Sequence, residues 1–144
     1  KAGVLMRMQP DGSGMNEVLD VTGGEITDLA FAPDGTLWMT TIEADGGKLC
    51  RVSNDQWGVT VEPVVTQIDG KALSCPAAVA VGADGKVYFT NAADVSVKYG
   101  LESALRTELL AHTATGWVYV YDPVTRAVER VLGWKYDLGL LQPA

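Results

Sequence analysis

Two stretches of this chain match residue by residue. Leu29-Ala30-Phe31-Ala32-Pro33-Asp34-Gly35-Thr36-Leu37-Trp38-Met39-Thr40 and Val79-Ala80-Val81-Gly82-Ala83-Asp84-Gly85-Lys86-Val87-Tyr88-Phe89-Thr90 align from Asp34 to Asp84, an offset of 50 residues. Each copy places an Asp-Gly turn between two apolar, β-rich runs, the pattern of a strand hairpin. A hairpin repeated at this spacing constrains the fold strongly, because a small sheet buries both faces only against another copy of itself.

Further strands follow each copy. Gly47-Lys48-Leu49-Cys50-Arg51-Val52 succeeds the first, and Gly116-Trp117-Val118-Tyr119-Val120-Tyr121-Asp122-Pro123 the second. The same element opens the chain as Gly3-Val4-Leu5-Met6-Arg7-Met8, before Pro10-Asp11-Gly12. Outer strands are predicted near 17–21, 59–65 and 127–132. Asp-Gly recurs at Asp11, Asp45 and Asp69 as well, each a turn signal. A unit of about 50 residues with four short strands is the pattern of a β-propeller blade. The predicted fold class is therefore all-β: a partial β-propeller of about three four-stranded blades in one domain, 1–144. The blade pieces are roughly 1–24, 25–68 and 69–132, with an atypical tail over 133–144. Leu101, Leu105 and Leu109 recur every fourth residue and Glu102 precedes Arg106 by four, predicting one short inserted helix from Leu101 to Ala111. Propellers typically close with about four to eight blades. A chain of this length is expected to leave open flanks, covered by a missing second half or by a homodimer that completes the ring.

Composition narrows the partners. The 144 residues carry a formal charge of −7, which disfavours nucleic acid. The longest apolar runs, such as Trp117 to Tyr121, are far short of the roughly 20 residues of a bilayer-spanning helix. No signal peptide is visible and the chain begins at Lys1, so a soluble protein, trimmed or cut from something longer, is expected; its compartment is left open. Cys50 and Cys75 lack metal-knuckle or redox-pair spacing and read as two buried thiols, with a single disulfide as the alternative.

The segment Asp84-Gly85-Lys86-Val87-Tyr88-Phe89-Thr90-Asn91-Ala92-Ala93, then the helix, then Gly116-Trp117-Val118-Tyr119-Val120-Tyr121-Asp122-Pro123-Val124-Thr125 resembles the strictosidine synthase-like family. The gluconolactonase and paraoxonase groups look like more distant relatives. The resemblance implies a six-bladed propeller with a site for small organic molecules at the mouth of its channel, and lactone or ester hydrolysis or strictosidine synthase-like lyase chemistry there. It also implies loss of the calcium site of the metal-dependent relatives. Their Asn-Asp pair falls on Ala77 and Ala78, and a further asparagine ligand on Leu138. Calcium takes about six to eight oxygen ligands, so no cofactor or metal is expected.

Five polar residues are candidates for the site. Asp28, Glu43 and His112 are the expected catalytic groups, as general bases or holders of a substrate amine. Asn91 and Asp94 are the expected substrate-binding groups. The competing reading gives the carboxylates and Asn91 to turn amides or solvent and His112 to the helix C-terminus. Catalytic degeneracy is the alternative function, with the chain acting as a self-assembling or partner-binding module.

Overall fold

The computed structural model describes residues 3–55, 58–93, 101–111, 115–137 and 140–143. The chain opens with β1 (Val4–Arg7) and β2 (Asn16–Asp20), an antiparallel pair. A four-stranded antiparallel sheet follows: β3 (Glu25–Phe31), β4 (Leu37–Glu43), β5 (Gly46–Asp55) and β6 (Gly58–Val65). The short hairpin β7 (Gln67–Ile68) and β8 (Lys71–Ala72) leads to the second large sheet. That sheet contains β9 (Pro76–Val81), β10 (Val87–Asn91), β11 (Trp117–Tyr121), β12 (Val128–Asp137) and β13 (Leu140–Pro143). Helix α1 (Leu101–Ala111) is inserted between β10 and β11, where the leucine spacing predicts it.

The architecture is that of a partial propeller. Two blades are complete, whereas the first piece supplies two strands, β1 and β2, in the places that β5 and β6 hold in the next blade. The tail is not structureless. Leu132 pairs with Val118 as Val65 pairs with Leu49, and a hairpin begins two residues later in both cases, at Trp134 and at Gln67. The β12–β13 hairpin therefore stands where β7–β8 stands in the preceding repeat.

The two aligned turns have the same geometry. Gly35 N donates to Ala32 O and Gly85 N to Gly82 O, each at 2.9 Å. Asp34 Oδ1 accepts from Thr36 N at 2.9 Å, and Asp84 Oδ1 from Lys86 N at 3.2 Å. Hydrogen bonds from Thr36, its amide foremost, hold the Asp34 carboxyl below its ordinary pKa. Asp69-Gly70 makes a tighter turn with both residues at positive φ, 51° and 77°, as a two-residue hairpin of mirror-image type requires.

Side-chain alternation along the strands then builds the core. Trp38, Leu49 and Val65 face one way and meet Val79, Val87, Phe89, Tyr119 and Tyr121 of the next sheet. Trp38 stands edge-on to Tyr121 at 5.8 Å and Phe89 stacks on Tyr119 at 5.6 Å, both within the range of favourable aromatic pairs. Met39, Cys50 and Val52 face the other way, toward Leu19 and Val21 beside β2. Gly47 permits a close approach between blades: its N–H donates to Leu73 O at 2.7 Å, and a Cβ there would overlap the ring of Pro76. Gly3 and Gly116, which begin the equivalent strands, press as closely on Gly24 O and Ala92 O.

Cys50 and Cys75 are free and buried. Burial, followed by the Glu43 carboxylate, pushes the Cys50 thiol up from 9.0 to about 11. The folded chain thus keeps a proton that the unfolded chain releases. The resulting stabilisation is intact below pH 9 and disappears as pH rises toward about 11. Urea unfolding at about pH 8 and about pH 10.5 should show a fall in midpoint that is smaller in Cys50→Ala.

Candidate functional site

The two ends of the sheets differ. Turns Ala32–Thr36 and Gly82–Lys86 lie at one end. The β4–β5 turn, the β6–β9 connection and the β10–β11 insertion lie at the other, where Glu43 and Asn91 end their strands, whereas Asp28 is the middle residue of β3. Each is already engaged by a hydrogen bond.

The pairing of β3 with β4 shifts register between Ile26 and Asp28, leaving Thr27 as a bulge. A bulge re-aims side chains, and here it turns two toward the neighbouring blade. Thr27 Oγ1 donates to Pro76 O at 2.9 Å and lies 2.8 Å from Thr40 Oγ1. Asp28 Oδ2 accepts from Val79 N at 2.9 Å, and its Oδ1 accepts from Leu29 N at 2.9 Å. Together they stitch the inner strand of one blade to the inner strand of the next. Thr27 is absent from the sequence-derived candidates, although its repeat partner Ala77 lacks a hydroxyl, and that difference was the available signal.

Glu43 follows the same rule of local satisfaction. Its Oε1 accepts from Thr41 Oγ1 at 3.0 Å and its Oε2 from Lys48 Nζ at 2.8 Å. Lys48 also reaches Asp45 Oδ1 at 3.1 Å. The bond to Glu43 is the main reason the Lys48 ammonium is held above its ordinary pKa. Asn91 is buried, and its Oδ1 accepts from Cys75 N at 2.7 Å and Ser74 N at 3.2 Å, fixing the connection into β9. Asp94, His112, Leu138 and Trp57 lie outside the described residues, as does the Trp134 side chain.

Ala77 and Ala78 present methyl groups at the start of β9, and Ala78 N donates to Thr90 Oγ1 at 3.0 Å. Among the described residues, no three His, Cys, Asp or Glu side chains converge as metal ligands would. Ala77 and Ala78 bring no side-chain oxygen to the start of β9.

A polar cavity of about 390 Å³ opens at the same end, between β7–β8 and the outer strands of the second blade. Asp69, Lys71, Asn91, Thr115, Trp117 and Arg130 are among its walls. The Arg130 guanidinium lies 4.2 Å above the Trp117 ring and 3.6 Å from Asp69 Oδ2. Among the described residues, the cavity walls carry two cationic side chains and one carboxylate in a chain whose overall charge is −7. Sequence reasoning passed over Arg130. Its place in the repeat is that of Pro63, since Arg130 pairs with Tyr119 as Pro63 pairs with Cys50. A guanidinium in place of a proline was the signal.

The Asp28 bonds give a direct expectation. Asp28→Ala leaves the Val79 amide without its acceptor at the blade junction and should cost about 1–3 kcal/mol of unfolding free energy, with Asp28→Asn losing less. Urea denaturation of both variants measures this.

No protein-family model matches the chain, and no curated protein matches it. Among solved structures it is similar to one described provisionally as a gluconolactonase, with a TM-score of 0.55 at 14% identity. The match covers 93% of this chain and 52% of that one, so the chain spans about half the length of the structure it resembles. At this identity the likeness concerns the fold, and the fold is part of a β-propeller.

Proposed function

We propose that the chain is a propeller segment that binds a small organic acid, such as an aldonic acid, in the polar cavity beside Arg130, and that it works as a binding module. The observation that carries this reading is the Arg130–Trp117–Asp69 arrangement together with Lys71. A guanidinium held over an aromatic face keeps its planar donors in place, and a carboxylate can accept two of them at once. The cavity volume lies within the range of small-molecule sites, about 300–1,000 Å³. Asp28, Glu43 and Asn91 act here as parts of the scaffold, because their oxygens already accept bonds within the chain.

A second reading, lactone or ester hydrolysis, is favoured by the likeness to the structure provisionally described as a gluconolactonase. In that reading Glu43, partly exposed beside Lys48, is the general base that takes a proton from water. Neither reading uses a divalent cation, because Ala77 and Ala78 carry no side-chain oxygen. Strictosidine synthase-like lyase chemistry has no separate support in the geometry.

Isothermal titration with gluconate as the probe tests the first reading. Arg130→Ala should weaken binding by about tenfold or more, the scale of a lost charge-assisted hydrogen bond. Equal affinity in the variant, or no binding by the parent chain, overturns it. For the second reading, gluconolactone and phenyl acetate are the substrates to assay. Turnover that disappears in Glu43→Ala would establish hydrolysis, and no turnover by the parent chain would leave the binding module alone.

A further inference from the structure

The chain has five Asp-Gly pairs, and four of them use the aspartate close to home. Asp11 Oδ1 accepts from Ser13 N, Asp34 Oδ1 from Thr36 N and Asp84 Oδ1 from Lys86 N, each two residues on. Asp45 pairs with Lys48. Among the described residues, Asp69 makes no such local bond. Its side chain, 82% exposed, reaches instead toward Arg130 of β12. The turn itself does not need that charge. Asp69 and Gly70 both hold positive φ, and asparagine suits the first place of such a turn as well as aspartate does.

The ion pair, moreover, does not close. Arg51 Nη2 and Glu62 Oε2, on β5 and β6, meet at 2.7 Å in a charge-assisted hydrogen bond between two half-exposed side chains. Arg130 Nη2 stays 3.6 Å from Asp69 Oδ2, beyond hydrogen-bond length, with its guanidinium resting on the Trp117 ring. A fork of donors and an acceptor-only group thus stand side by side in the cavity wall. They are near enough for one small molecule to touch both and too far apart to satisfy each other.

We propose that the cavity selects acids that carry an ammonium beside the carboxylate, the α-amino acids, and that Asp69 is the residue that reads the ammonium. This rests on the reading that Arg130 receives a ligand carboxylate. In an α-amino acid the carboxylate and the ammonium sit on neighbouring carbons. Guanidinium and carboxylate are the matching groups of opposite charge, and Arg130 and Asp69 bring them together. A plain carboxylic acid meets Arg130 alone and leaves its negative charge beside Asp69, a like-charge contact that disfavours it. A hydroxyl at the neighbouring carbon offers Asp69 a hydrogen bond, whereas an ammonium adds the attraction of opposite charges.

Isothermal titration tests this with gluconate and glucosaminate, the same molecule with an ammonium in place of the hydroxyl next to the carboxylate. At low ionic strength glucosaminate should bind about three- to fivefold tighter, the scale of a well-formed exposed ion pair. Asp69→Asn keeps the turn and should reverse the order, because Arg130 and Lys71 then repel the ammonium. Asp69→Gly, which also accepts positive φ, is the second variant, and the urea midpoint establishes that both are folded. Glucosaminate no tighter than gluconate in the parent chain, or a preference that persists in the folded Asp69 variants, overturns the proposal while acid binding at Arg130 stands. Failure of the parent chain to bind either acid, or binding of both that Arg130→Ala leaves unchanged, overturns the underlying reading and the proposal with it.

Discussion

The apolar seam between the two complete blades is the interaction on which the rest depends. Neither sheet can bury Trp38 and Leu49, or Phe89 and Tyr119, on its own, because each has one side chain pointing to each face at alternate residues. Once the sheets meet, the relative position of their inner strands is fixed by two polar contacts from one bulge, Thr27 to Pro76 and Asp28 to Val79. The apolar seam supplies the drive to associate, and the hydrogen bonds define the register at which the blades stop sliding. Gly47 then admits Pro76 at a distance that no side chain would tolerate.

The cost of that arrangement falls on the polar residues nearest the seam. Groups that look available in a linear sequence, a carboxylate at the start of a strand or an amide at the end of one, are the ones within reach of stranded backbone amides at a blade junction. Asp28 and Asn91 take up that role, and Glu43 is held by Thr41 and Lys48. Polar side chains not needed to join blades are left farther out, on β7–β8 and on the outer strands, and there Arg130 rests on Trp117 beside the cavity. Proximity to the blade junction and freedom to meet a ligand are opposed in this molecule.

How much of this was legible beforehand follows from the range of the interactions. The Asp34 and Asp84 turns, and the helix from Leu101, depend on residues within four positions of one another, and a linear reading finds them. The identity of the residues at Ala77 and Ala78 also follows from aligned motifs. Thr27 was not found, because its role arises from a register shift and from a carbonyl 49 residues away. Arg130 was missed because it, the ring beneath it and the acid beside it come from three different parts of the chain. The two-stranded first blade was partly visible as a third copy of the Gly-initiated strand, but the exposure of Met6 and Met8 against the burial of Cys50 and Val52 is a property of packing.

By itself, then, the sequence determined the repeat, its turns, its helix and the all-β class, since these rest on backbone conformation and on periodicity that neighbouring residues impose. The tertiary structure alone decided which polar groups join blades and which face a cavity, and which apolar face remains bare. Those outcomes depend on atoms brought together from distant positions, and only the packed sheets specify the distances.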